Sequence, residues 1–111
     1  MPSRDPHLVG RPRRRAIAEC EARYPLVCHL CGNPIDPTLD RRTHPLAWTA
    51  DELIPRAIGG SAYDVDLMRP AHRTCNSTRQ ERPLTPAVYA ACRRAYARHS
   101  QASTRQGSRT W

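Results

Sequence analysis

Apolar positions in this 111-residue chain come in short bursts, each with the period of a different element. Ala16, Ile17 and Cys20 fall on one side of a helix predicted over Arg13–Tyr24, flanked by Arg13, Arg14 and Arg15. Pro25 closes it, because the residue ahead of a proline is pushed out of the α region. Leu46, Trp48 and Ala50 alternate with other positions and predict a strand over Leu46–Ile54. Pro55–Tyr63, which contains Gly59-Gly60, reads as a turn, and Val65–Met68 as the returning extended segment of a hairpin. Pro70–Glu81 opens a short helix that Pro83 stops. Thr85 is placed to cap a last helix with Pro86 in its first turn, running to about His99. Val88, Ala91, Cys92, Ala95 and Tyr96 give that helix one apolar face. The fold class is therefore small α+β, with residues 1–12 as a flexible basic arm, 13–99 as a single domain and 100–111 as a disordered tail.

Composition makes this core thin. The chain has no Phe and 11 Pro, and a domain of this size buries a modest share of its surface, so a cross-link is expected. Five Cys is an odd number, and no export signal precedes them, which favours metal over a disulfide framework. Cys28-x-x-Cys31 and His72-x-x-Cys75 are two paired clips with the spacing of a closed tetrahedral zinc site, and Gly32 after the second Cys suits a tight knuckle. A redox pair at Cys28 and Cys31 with His72 on the surface is the alternative. Cys20 and Cys92 have no partner at ligand spacing, sit on apolar helix faces, and are expected in the core.

Charge adds a partner. The 18 basic residues, all Arg, stand against ten acids for a formal +8. A GC-rich genome would explain Arg over Lys but not the excess, which points to nucleic acid. Nothing at the start of the sequence reads as a signal peptide, and no run approaches the ~20 apolar residues of a membrane span, so a soluble, cytoplasmic protein without membrane contact is expected.

Four blocks carry a resemblance: CHLCG at 28–32, DELIP at 51–55, GG at 59–60 and RPAHRTCN at 69–76. In order and approximate spacing they resemble the HNH endonucleases, the ββα-metal nucleases, and most of all the small HNH proteins of phages and actinobacterial genomes. The resemblance implies a β-hairpin and a helix clasping a catalytic Mg2+ or Mn2+, with structural Zn2+ held by Cys28, Cys31, His72 and Cys75. It implies hydrolysis of DNA phosphodiester bonds, with Asp51 and Asn76 as ligands of the catalytic ion. Glu52 stands where the family most often has the histidine that deprotonates water, so it is either the base or a further ligand. Leu67 stands where the family's middle Asn would orient that base, and a shifted register gives Asp66. Arg79, three residues after Asn76 on the same helix face, is a candidate to hold the scissile phosphate. His44, which precedes the strand and could reach the site as a substitute base, and His29, inside the first clip, are both read as exposed.

These readings lead first to a DNA-nicking endonuclease acting in the cytoplasm, the host's if the protein is phage-encoded. A zinc-stapled DNA-binding module without activity is the second reading. An accessory subunit with a terminase-type partner in phage genome packaging is the third.

Overall fold

The computed structural model describes residues 6–108, and side chains over 10–101. Its elements run α1 (Pro6–Arg23), β1 (Trp48–Glu52), β2 (Met68–His72), α2 (Arg73–Arg79) and α3 (Pro86–Ser108), with short 3-10 turns at Arg56–Ile58 and Val65–Leu67. The architecture is small α+β: a two-stranded antiparallel sheet and three helices among the described residues.

The hairpin register pairs Trp48 with His72 and Glu52 with Met68. The returning strand is thus Met68–His72, and not the expected Val65–Met68. The Asp64 side chain accepts from the Asp66 amide at 3.0 Å, and this local bond bends 65–67 into a 3-10 turn in place of a ladder. Pro70 is tolerated within β2 because the sheet has only two strands, which leaves each with a free edge. The first strand is shorter than Leu46–Ile54. At the turn after it, a Cβ on Gly60 would lie 1.8 Å from the Ile54 carbonyl oxygen, so only glycine fits there.

Two helix ends differ from expectation. Helix α1 begins at Pro6, so residues 6–12 are helical and not a flexible arm; proline is accepted in a first helical turn, where its missing N–H is not needed. Helix α3 starts as expected, with Thr85 Oγ1 accepting from the Val88 amide at 3.3 Å. It continues past His99 to Ser108, because residues 100–106 contain no proline or glycine to stop it. Residues 1–5 of the expected arm and 109–111 of the expected tail lie outside the described residues.

Ala16 and Cys20 of α1, Trp48, Ala50, Met68 and Ala71 of the sheet, and Val88 and Cys92 of α3 form one buried cluster with the knuckle residues Cys28, Leu30 and Cys31. Tyr24 joins α1 to β2: its hydroxyl donates to the Val65 carbonyl at 3.0 Å and accepts from Arg69 at 2.8 Å. Helix α2 is only seven residues long, and two of its unpaired N-terminal amides find backbone partners, Arg73 on Ala47 and Thr74 on Pro45. That fixes α2 against the chain entering β1. No helix among the described residues is long and apolar enough to cross a membrane.

Candidate metal centre and acidic cleft

Cys28, Cys31, His72 and Cys75 are all buried, and their ligand atoms lie within 4.8 Å of one another. That is the size of a tetrahedral zinc shell, whose sulfurs sit about 2.3 Å from the metal. Distant segments supply the two clips. The knuckle bends at Gly32, whose positive φ of 81° suits glycine, and its His29 amide donates to the Pro70 carbonyl of β2 at 3.0 Å. The second clip spans the junction of β2 and α2.

The imidazole of His72 is already oriented for a metal. Its Nε2 donates to the Pro34 carbonyl at 3.0 Å, which leaves Nδ1 facing the sulfurs, 3.3 Å from Cys31 and 3.8 Å from Cys75. Burial works against charge on this ring, but hydrogen bonds to Cys28 and Cys31 outweigh it and push its pKa up to about 9. Hydrogen bonds from Cys28 and Cys75 hold the Cys31 thiol far below its ordinary range, while Cys28 and Cys31 drive Cys75 upward. A metal ion held by these four groups would displace the protons they carry. Cys20 and Cys92 are fully buried outside the cluster, as expected, and burial pushes Cys92 up to about 11.

Asp51, Glu52, Asn76 and Arg79 line one cleft of about 260 Å³ at the end of the hairpin. Successive side chains on a strand point to opposite faces, so the two acids meet different partners. Asp51 is 4 % exposed, and its Oδ2 accepts from Arg79 Nη1 at 2.7 Å and His29 Nε2 at 2.6 Å. Glu52 turns toward α1, pairing with Arg13 at 3.0 Å and with Arg56 at 3.2 Å. Each acid is held by two cationic or donor groups. Asn76 is half-buried at the cleft wall.

Arg79 does not sit on an open helix face. It is 1 % exposed, and besides Asp51 it donates to the carbonyls of Glu52 (2.5 Å), Leu53 (3.0 Å) and Arg82 (2.9 Å). It clamps the end of β1 onto α2. His29, read from sequence as exposed, is half-buried against Asp51. Both residues between the knuckle cysteines turn inward, Leu30 fully buried and His29 partly, a consequence of tertiary docking that local spacing does not register. His44 is not at the acidic pair. Its Nδ1 accepts from the Leu46 amide at 3.0 Å, and it lines a separate cleft with Asp36, His72 and Tyr96. Leu67 and Asp66 do not line the cleft, and the Asp66 carboxylate pairs with Arg23.

No protein-family model matches the sequence, and no curated protein or solved structure matches it. The chemistry of the cleft rests on its own geometry.

Proposed function

We propose that the chain is a metal-dependent endonuclease of the HNH type, hydrolysing DNA phosphodiester bonds one strand at a time. The observation that carries this reading is the convergence of Asp51, Glu52 and Asn76 on one cleft, joined through His29 to a cluster able to hold zinc. Carboxylate and amide oxygens are hard donors of the kind that hold Mg2+ or Mn2+. Asp51 and Asn76 would hold the ion, and Glu52 would either join them or accept the proton of the attacking water. A divalent ion bound there would supply positive charge to offset the negative charge that builds on the phosphate during hydrolysis.

The chain's own residues do the rest. Arg79 fixes the carboxylate of Asp51. His29, which does not itself line the cleft, donates to the same carboxylate and shares that task. The formal charge of +8 favours a polyanionic substrate.

Zinc-loaded protein with Mg2+ or Mn2+ is expected to nick supercoiled plasmid, and Glu52→Gln and Asn76→Ala are each expected to abolish nicking while binding to DNA persists. Nicking that survives both substitutions overturns this reading. A second reading, a zinc-stapled DNA-binding module without catalysis, is favoured by one observation: both oxygens of Glu52 are engaged by arginines. It predicts plasmid binding without cutting under any divalent ion.

A further inference from the structure

Glu52 is 14 % exposed at its side chain and lies between two guanidinium groups that come from different parts of the chain. Arg13 reaches it from α1, donating Nη1 to Oε2 at 3.0 Å and to the Ala62 carbonyl at 3.2 Å. Arg56 reaches it from the 3-10 turn after β1, donating Nε to Oε1 at 3.2 Å. A carboxylate gripped on its two oxygens by two arginines has the shape and charge of a phosphate's non-bridging oxygens in the same grip.

We propose that Arg13 and Arg56 form the binding site for one phosphate of the nucleic-acid backbone, and that in the free protein Glu52 occupies that site in the phosphate's place. This rests on the cleft being the nuclease site, and extends it to Arg13, a helix residue far from the DELIP block. Three arginines (Arg13, Arg56, Arg79) and three acids (Asp51, Glu52, Glu81) line the cleft, so its formal charge balances. A lone divalent ion must pull Glu52 from two cations, and a lone phosphate must displace a carboxylate already in place. Arriving together, each removes the other's obstacle: the phosphate takes the arginines and the ion takes the freed carboxylate. The contact of Arg13 with Ala62 is to a backbone carbonyl, so this anchor stays when Glu52 leaves. Ion and DNA therefore bind with positive coupling, which is reciprocal by thermodynamic necessity.

The test uses the zinc-loaded full chain, with free Mn2+ followed by its solution EPR signal and the uptake of duplex alone subtracted. Wild-type protein is expected to bind Mn2+ about tenfold tighter in the presence of a short DNA duplex than in its absence. Arg13→Gln and Arg56→Gln are expected to tighten Mn2+ binding without DNA and to reduce the coupling toward one. Each is also expected to lower the salt dependence of duplex binding by about one unit of logarithmic slope. Arg56 is more than half exposed, so its variant stays informative if Arg13→Gln melts early. Equal Mn2+ affinity with and without duplex overturns the proposal, as does undiminished coupling in both variants. If the wild type nicks plasmid yet shows no coupling, only this inference fails. If it neither binds Mn2+ nor nicks, the nuclease reading fails with it.

Discussion

Replacing Arg79 by Met tests whether this residue is a clamp or a phosphate contact. The guanidinium is 1 % exposed and meets a carboxylate that is itself 4 % exposed, so solvent screening does not weaken the pair. Breaking a buried ion pair by removing one partner costs about 3–5 kcal/mol, because the other charge is left uncompensated. His29 still donates to Asp51 in the variant, which offsets part of this. Three backbone carbonyls lose a donor, at roughly 1 kcal/mol each where no water replaces it. Met restores most of the buried apolar volume. The balance is a loss of about 4 kcal/mol, close to the whole stability of a small domain.

For a domain of this size that loss lowers Tm by roughly 15–30 °C. The assay is thermal and urea unfolding of the zinc-loaded protein, together with the Asp51→Asn/Arg79→Met double variant, which removes the stranded charge. The double variant is expected to recover about 2 kcal/mol relative to the sum of the two single losses. A single-variant loss under about 1 kcal/mol, or strict additivity, refutes the clamp. So does an unmoved melt accompanied by a shallower salt dependence of DNA binding, which is the signature of a phosphate contact.

Three further outcomes follow from the Cys3His cluster and the turn. Chelation is expected to unfold the chain, read as loss of far-ultraviolet helical signal that returns on adding Zn2+. Zinc affinity is expected to fall as pH falls, since the metal needs thiolates and a neutral imidazole, while hydrogen bonds to Cys28 and Cys31 hold the proton on His72 up to about 9. The loss is about tenfold per pH unit for each proton displaced, measurable by competition with a chromophoric chelator between about pH 6 and about pH 8. An apo chain that stays folded, or a pH-independent affinity, would refute these. Gly60→Ala is expected to cost about 2 kcal/mol in urea unfolding, because the added carbon meets the backbone oxygen of Ile54 and the turn must shift. A neutral Gly60→Ala would show that the turn relaxes freely.

Local signals were readable in the sequence and non-local ones were not. Ligand spacing fixed the two clips, and Thr85-Pro86 fixed the start of α3, because each depends on a few neighbouring residues. The second strand lies further along the chain because of a competition that periodicity does not register: the Asp64 side chain accepts from the Asp66 amide and claims residues 65–67, while Pro70 sits inside the strand. The partners of Asp51 were hidden for a different reason. His29 lies 22 positions away and Arg79 28, and only tertiary packing brings them to one oxygen.

The Cys3His cluster and the cleft beside it are built on the same two segments of chain. His29 is the residue after Cys28, and Arg79 follows Cys75 by four positions, one helical turn along the same face of α2. The two groups that hold Asp51 are therefore each one step from a metal ligand, on the two segments that the cluster ties together. A metal bound to Cys28, Cys31, His72 and Cys75 would fix the separation of knuckle and α2, and with it the position of the carboxylate between them. On this argument a ligand substitution such as Cys31→Ser should disturb Asp51 even where the chain remains folded. The reverse does not hold: Asp51→Asn keeps an acceptor for His29 and Arg79 and leaves all four ligands in place, so zinc should stay bound. A variant that loses zinc on Asp51→Asn would show that the cleft organises the cluster, and not the cluster the cleft.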